Sequence, residues 1–480
     1  MEIKTFDLEY ERKGVTSGIL HFGVGNFHRA HQAYYTNMLL SDPDQRSWGI
    51  CGAMILDRDE DVFRGLSKQD GCYGLTVFGR SGNNEYHRIG ALTELLWGGE
   101  SAAAIIDKAA DPGIKIISLT ITEGGYNLDN KTGKFDFSNE DIIYDLKLPK
   151  KPRTVFGYIA AGLRKRAEAN AGPLTILSCD NLVHNGNACR NAFLSFFQKA
   201  DARLYNWAKE NISFPNSMVD RITPATLADD ILKLQAINGS EDLVPVYCED
   251  FVQWVIEDDF LAGRPAWERA GAEFTDNVSK YESMKLGYVN STHQMLSFPG
   301  FLAGYRKVDE AVSDKRIAAY LRQYMDEDVT PYLSSPPNTS LEEYKTIFMG
   351  RLKNEAVSDQ LSRLCFDAAN KFPVYMAPTI TAMLDANADM KRIAFIIAAY
   401  RLYLRKGKDE KGVSYVVDDQ GLTENDLTLA GSNEPLDFLN LSCFSGLRLS
   451  TSERFIKEYL ESCRNIEAKG VLATIEGLLD

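Results

Sequence analysis

Short apolar runs alternate with amphipathic stretches along the first two hundred residues. SGILHFGVG (17–25) is an apolar run entering a glycine turn, and NFHRAHQAYYTNMLL (26–40) repeats its apolar positions at helical spacing. WGICGAMIL (48–56) is a second strand, closed by the acidic cluster DRDED (57–61), and IKIISLTIT (114–122) is apolar almost throughout, as strands buried on both faces are. TVFGYIAAGLRKRAEA (154–169) reads as a helix, LTILSCDN (174–181) as a strand and GNACRNAFLSFFQKA (186–200) as a helix. This alternation predicts an α/β fold, a parallel sheet with helical crossovers. From about residue 280 the period becomes helical, in MKLGYVNSTHQMLSFPGFLAGY, SDKRIAAYLRQYMDEDV, EAVSDQLSRLCFDAANKF, KRIAFIIAAYRLYLRKG and SERFIKEYLESCRNIEA. SSPPNTS (334–340) and the stretch around 409–435 are predicted as loops. The expected organisation is an α/β domain over 1–280 and a mainly α-helical domain over 281–480, with the boundary near 275–285 and the helices packing across the mouth of the first domain.

Length agrees with two domains, because 480 residues exceed what one hydrophobic core holds. The net charge of −14 argues against nucleic acid or an anionic membrane as partner, since phosphate binding needs basic surface. No apolar run is long enough to span a bilayer, and MEIKTFDLEYERKG has no signal-like apolar region, so a soluble, cytoplasmic protein is expected. The eight cysteines are scattered without a CxxC pair and read as reduced thiols.

Gly23-Val24-Gly25 lies just after a strand and just before a helix. Glycines here permit a tight turn and close approach of backbone to a pyrophosphate, which the helix N-terminus would favour. The third glycine of the usual fingerprint is replaced by His28, and a bare GxG also serves as an ordinary turn. After the second strand, Asp57 and Asp59 both qualify to bind the adenosine ribose hydroxyls and to repel the phosphate of NADP, with Arg58 between them softening that preference. The expected cofactor is therefore NAD, contacted by Gly23, Val24, Gly25, Asn26, Phe27, Asp57, Asp59, Thr122 and Glu123.

The strongest local signal is Lys285-Leu-Gly-Tyr-Val-Asn290-Ser-Thr-His293. On a regular helix Asn290 lies about 140° and His293 about 80° from Lys285, so one cleft can receive all three. A base, an amide and an imidazole suit alcohol oxidation, with lysine as the base if its pKa falls toward neutrality. SCDNLVHNGN (178–187) gathers Asp180, Asn181, His184, Asn185 and Asn187 at a strand's C-terminal end, and MVDRITP (218–224) adds Asp220 and Arg221, a functional pair or a structural ion pair.

Together GVGNFHRAHQAYY, SLTITEGGYN, SCDNLVHNGN, FPNSMVDRITP, FVQWVIED, GRPAWE and the K-x4-N-x2-H element resemble the polyol-specific long-chain dehydrogenases, the mannitol dehydrogenase family. The resemblance keeps the same order from about residue 17 to beyond 405, through KFPVYMAPTI (371–380) and GVSYVV (412–417). It implies a Rossmann-type N-terminal domain, a largely helical C-terminal domain and a cleft between them. It also implies metal-independent, NAD-dependent interconversion of a sugar alcohol and its ketose, D-mannitol and D-fructose. In this likeness Lys285 is the general acid/base, and Asn181 and Asn290 are the amides holding the reacting oxygen. His293 is a hydroxyl contact, Glu282 a proton relay, and Asp220, Arg363 and Lys371 are contacts to the remaining substrate hydroxyls.

There are departures: Arg351-Leu352-Lys353-Asn354 replaces R-F-S-N, Tyr288 and Val289 replace leucines, and Ser291-Thr292 replaces a smaller pair. They leave open D-arabinitol, D-sorbitol or fructuronate as the substrate. A catalytically dead NAD-binding sensor and a zinc-dependent enzyme are the readings from other classes. A monomer is expected.

Overall fold

The computed structural model describes residues 3–129, 132–337 and 339–479. The chain divides into two compact units, the first ending at Ser279 and the second beginning at Lys280.

The buried apolar runs of the first unit form one six-stranded sheet. Its strands are β1 (Ser17–Phe22), β2 (Gly49–Met54), β3 (Leu92–Trp97), β4 (Ile116–Leu119), β5 (Leu174–Ser178) and β6 (Ile212–Ser213). They lie in the order 3-2-1-4-5-6 with every neighbouring pair parallel. This is the Rossmann order, and it reverses between β1 and β4, the switch point at which such sheets bind ligands. Side chains alternate between the faces: Ile19 enters one apolar cluster with Ile50 and Tyr35, and Leu20 the other with Ile117, Ile159 and Phe193. The eight cysteines are buried and none is in a disulfide.

Two departures from the periodic pattern have local causes. The helix expected over 26–40 is two helices, Asn26–Ala30 and Gln32–Leu39, broken at His31 (φ −122°, ψ −92°). The Ala30 carbonyl, which a continuous helix would pair with the fourth residue on, instead accepts from Arg221 Nη1 at 2.7 Å. Two further sheets were not anticipated by the pattern. One is four-stranded, in the order Ile3–Phe6, Asn84–Ile89, Tyr73–Phe78, Val246–Glu249. The other is three-stranded, in the order Ser217–Asp220, Gln253–Ile256, Glu273–Phe274.

The second unit is helical among its described residues. Its core helix Lys391–Lys406 buries eleven of its side chains and packs on Glu453–Lys469. Residues 355–360 are not helical as expected: Asn354 accepts from the Ala356 N–H and caps a single turn, Glu355–Val357, after which the chain runs extended. The predicted loop 409–435 contains the helix Glu424–Gly431, started by a reciprocal cap between Thr423 and Asp426. No described helix is long and apolar enough to cross a membrane.

Candidate active site

In the first unit the candidate residues leave the C-terminal ends of adjacent strands. After β1, Gly23 adopts φ +95°, and a Cβ there would lie 2.0 Å from the Thr120 carbonyl oxygen. Gly25 differs: a Cβ would meet only Gly23 O, at 3.9 Å, so the space above it is open. That opening, at a turn that enters a helix, fits the close approach of a pyrophosphate. The Asn26 side chain is engaged within the protein, donating to Pro224 O and Thr226 Oγ1, both at 3.1 Å, and accepting from Arg29. Val24 is buried, and the half-buried Phe27 stacks on His31. His28, in place of the third glycine, points inward and stacks on His21 with centroids 3.4 Å apart. Burial pushes His21 down to about 3 and His28 well below the ordinary imidazole range, so both are neutral.

After β2, the two acids separate by geometry. Asp59 Oδ2 accepts from the Leu56 N–H at 3.2 Å and caps its own turn, whereas Asp57 is exposed at the strand end, where a ribose would lie.

After β4 comes the most strained residue of the site. Thr122 has φ 65° and ψ 168°, a region that is essentially glycine's alone and costs on the order of 1–3 kcal/mol for another residue. Asp180, after β5, lies beneath it: Oδ2 accepts from the Ile121 N–H at 3.0 Å and Oδ1 from the Thr122 N–H at 2.9 Å. The Tyr126 hydroxyl donates to Oδ2 at 2.7 Å. Burial raises the Asp180 carboxyl to about 6, against the lowering effect of those hydrogen bonds. Thr122, Glu123 and Asn181 are exposed, so the buried Asp180 carries an exposed edge.

The rest of the polar cluster after β5 is framework. Asn185 is fully buried and donates to the carbonyls of Ser178 and Asp180, both at 3.1 Å, while accepting from the Ser217 N–H at 2.8 Å. Asp220 is buried at the end of its strand. Arg221 is structural: its guanidinium donates to the Glu249 and Ala30 carbonyls and lies over the Tyr34 ring.

In the second unit Glu282, Lys285, Asn290 and His293 share one helix, and that helix is not regular. Val278–Lys285 continues into a π turn, Leu286–Asn290, and then into the helix Ser291–Leu302. The Ser291 N–H bonds to the Leu286 carbonyl five residues back. A π turn accommodates one extra residue. Five positions then count as four and eight as seven, placing Asn290 about 40° and His293 about 20° to either side of Lys285. Glu282, three residues before, falls about 60° away. The 140° arc expected from a regular helix is therefore corrected to a single face. Glu282, Lys285 and Asn290 are 6%, 9% and 9% exposed, and His293 is half-buried against Phe348.

Gly287 lets the turn pack closely on Val329, because a Cβ there would meet Val329 Cγ1 at 2.9 Å. Val329 ends a second π segment, Tyr324–Val329, and the Tyr288 hydroxyl meets Thr330 Oγ1 at 2.7 Å just beyond it. Tyr126, bonded to Asp180, and Gly287, packed on Val329, are positions in the candidate site that the sequence reading missed. A glycine inside K-x4-N was the available signal for the second; the tyrosine of EGGYN carried none until the fold brought it to Asp180.

Arg363 and Lys371 come together but are occupied. Arg363 Nε donates to Asp359 Oδ2 at 2.6 Å, and its side chain is 73% exposed. Lys371 Nζ donates to the Arg363 and Phe366 carbonyls at 3.2 and 2.5 Å. Burial, and then the neighbouring Arg363 cation, lower its pKa. Among the described residues, no group of three or more His, Cys, Asp or Glu side chains is gathered to hold a metal ion.

The chain is similar to known proteins over nearly its whole length. The sequence model of the mannitol dehydrogenase Rossmann domain matches residues 17–269, and that of the mannitol dehydrogenase C-terminal domain matches residues 277–466. A polyol:NADP oxidoreductase of Gluconobacter oxydans is 41% identical, covering 97% of this chain and 96% of its own. A mannitol 2-dehydrogenase of Phaeosphaeria nodorum is 36% identical, covering 97% of this chain and 82% of its own. Among solved structures, the Pseudomonas fluorescens mannitol 2-dehydrogenase in ternary complex with NAD and D-mannitol is 41% identical with a TM-score of 0.89, covering 99% of this chain and 97% of its own. A substrate-free D-sorbitol dehydrogenase is 40% identical with a TM-score of 0.92, covering 98% of this chain and 97% of its own.

Proposed function

The chain belongs to the mannitol dehydrogenase family, and on that premise we propose that it is an NAD-dependent polyol dehydrogenase, metal-independent, interconverting D-mannitol and D-fructose. The observation that carries this reading is the buried helix face of Glu282, Lys285 and Asn290, completed by the half-buried His293.

When bound, the nicotinamide supplies the acceptor for the hydride that leaves C2. Lys285 takes the proton of the C2 hydroxyl and returns it in ketose reduction. Asn181 and Asn290 donate amide hydrogens to the oxygen as it changes between alcohol and carbonyl, a neutral pair that favours charge developing there. Glu282, one turn before Lys285, relays the proton outward. His293, Asp220, Arg363 and Lys371 receive the remaining hydroxyls. The turn at Gly23–Gly25, with Val24, Asn26 and Phe27, holds the pyrophosphate, while Thr122 and Glu123 line the nicotinamide side. Asp57 at the end of β2 reads the ribose and disfavours a phosphate on it, which supports NAD even though one relative is named for NADP.

Lys285→Ala should lower turnover by about 10²–10⁴, with partial recovery on adding small primary amines; near-normal turnover would refute the lysine mechanism. Assays of mannitol, sorbitol, arabinitol, fructose and fructuronate with NADH/NAD⁺ and NADPH/NADP⁺ test the substrate. The highest kcat/KM is expected for mannitol and fructose with the non-phosphorylated coenzyme, and a higher value for any other pair displaces that assignment.

A further inference from the structure

We propose that Asp180 is a positioning residue: its carboxylate holds the Thr122 turn in a backbone conformation that the threonine would otherwise leave, and so fixes the exposed edge that receives the cofactor. The inference rests on the reading above, in which residues 122–123 line the cofactor site, and goes beyond it by assigning a role to a side chain that touches neither cofactor nor substrate.

Three observations carry it. First, a β-branched residue at φ 65°, ψ 168° does not stay there unaided, and the structure around it must over-determine the conformation. Second, both Asp180 oxygens are spent on consecutive backbone N–H groups of that turn, Ile121 at 3.0 Å and Thr122 at 2.9 Å. Third, the carboxylate is itself braced. Tyr126 donates to it at 2.7 Å and lies 2.5 Å from Ser178 Oγ, and Asn185 holds the Asp180 carbonyl at 3.1 Å. On its other side the turn is tied to the glycine loop, because Thr120 Oγ1 donates to Gly23 O at 2.6 Å. One buried carboxylate thus joins the ends of β4 and β5, and through Thr120 the end of β1. It also directly precedes Asn181.

Strain makes this testable, because glycine adopts the Thr122 conformation without a brace. NADH binding is measured by fluorescence titration on the full chain carrying Asp180→Asn, Thr122→Gly, both together, and Gly25→Val as a probe of the cofactor site itself. Asp180→Asn should weaken NADH binding about tenfold when residue 122 is threonine, and less than about twofold in the Thr122→Gly background. A purely structural Asp180 would instead give equal losses in both backgrounds, and that result overturns the proposal. Unchanged binding in Asp180→Asn with binding lost in Gly25→Val also overturns it, while leaving the cofactor reading intact. Unchanged binding in both variants overturns the cofactor reading and the proposal with it. If Asp180→Asn fails to fold by circular dichroism, Tyr126→Phe, which removes one brace on the same oxygen, takes its place in the same two backgrounds. About a threefold loss is then expected with threonine and none in the Thr122→Gly background, and equal losses again overturn the proposal.

Discussion

In the first unit the residues assigned to the cofactor, and Asn181, leave the ends of four parallel strands, whereas in the second Glu282, Lys285, Asn290 and His293 lie along one helix. The strand ends are separate loops, and each needs its own brace: Gly23 against Thr120, Asp59 on Leu56, Asp180 under Thr122, Asn185 across to Ser217. On the helix no side chain needs a brace of its own for direction, because angular phase sets them all at once, and the π turn at Leu286–Asn290 sets the phase. Damage should therefore stay local in the sheet-end site and spread along the helix.

After Lys285→Ala, the largest effects should come from the two amides, one on each unit. Asn181→Ala and Asn290→Ala should each lower kcat on the order of 10²–10³, the usual loss for one donor to a developing oxyanion. The comparison sharpens if NADH affinity is retained in both variants, since each then removes a transition-state contact alone. Full turnover in either variant would restrict the oxyanion site to the other unit.

Next in size is Gly287→Ala. A methyl group there meets Val329 at 2.9 Å, and overpacking of this kind costs typically about 1–3 kcal/mol. If the turn yields rather than Val329, Lys285 rotates relative to Asn290 and His293, and misplacement of about 1 Å costs up to about 10²-fold. A fall in kcat of about tenfold or more, with substrate KM changing little, is the expected outcome. A variant that loses stability but keeps kcat would show that phase does not position these residues, and the contrast between the units would fall.

The same contrast explains what could be read in advance. Four strands of the six-stranded sheet were legible because they are apolar on both faces, so Ile116–Leu119 needs no partner to declare itself, whereas Leu92–Trp97, with Thr93 and Glu94 among its leucines, and the two-residue Ile212–Ser213 were not. The exposed members of the first unit's site were legible too, since Asp57 and Asn181 follow directly on such runs. The π turn was not: periodicity assumes a constant angle per residue, and Gly287 packs on Val329, forty-two positions away in sequence. The choice between Asp57 and Asp59 was equally hidden, because it turns on which carboxylate caps the Leu56 N–H. The break at His31 depends on Arg221, which reaches the Ala30 carbonyl from another sheet. In each case the deciding partner is distant in sequence or lies in a conformation that composition does not encode.

The smallest predicted effect concerns pH and the strand-end brace. Asp180 faces Tyr126, the buried thiols of Cys179 and Cys189, and the carboxylate of Glu123, with two backbone N–H groups as its compensating donors. Burial pushes its carboxyl up to about 6, above the ordinary aspartate range. The folded state therefore binds the proton more tightly than the unfolded chain. Above about pH 6 the buried charge lowers stability; as pH falls toward 4 that penalty is relieved. This is opposite in sign to a carboxylate held by a cation, such as Asp314 beside Arg316, whose contribution is lost in acid. Asparagine at position 180 carries no such penalty at any pH. The difference in melting temperature between Asp180→Asn and the unaltered protein should thus move in favour of the unaltered protein, by about a few degrees, between pH 7 and pH 4.5. NADH affinity of the unaltered protein should weaken over the same interval, because a protonated carboxyl keeps only one good acceptor for two N–H groups. A gap independent of pH would mean that Asp180 does not titrate in this window, and the strand-end site would then owe its geometry to packing and not to a buried charge.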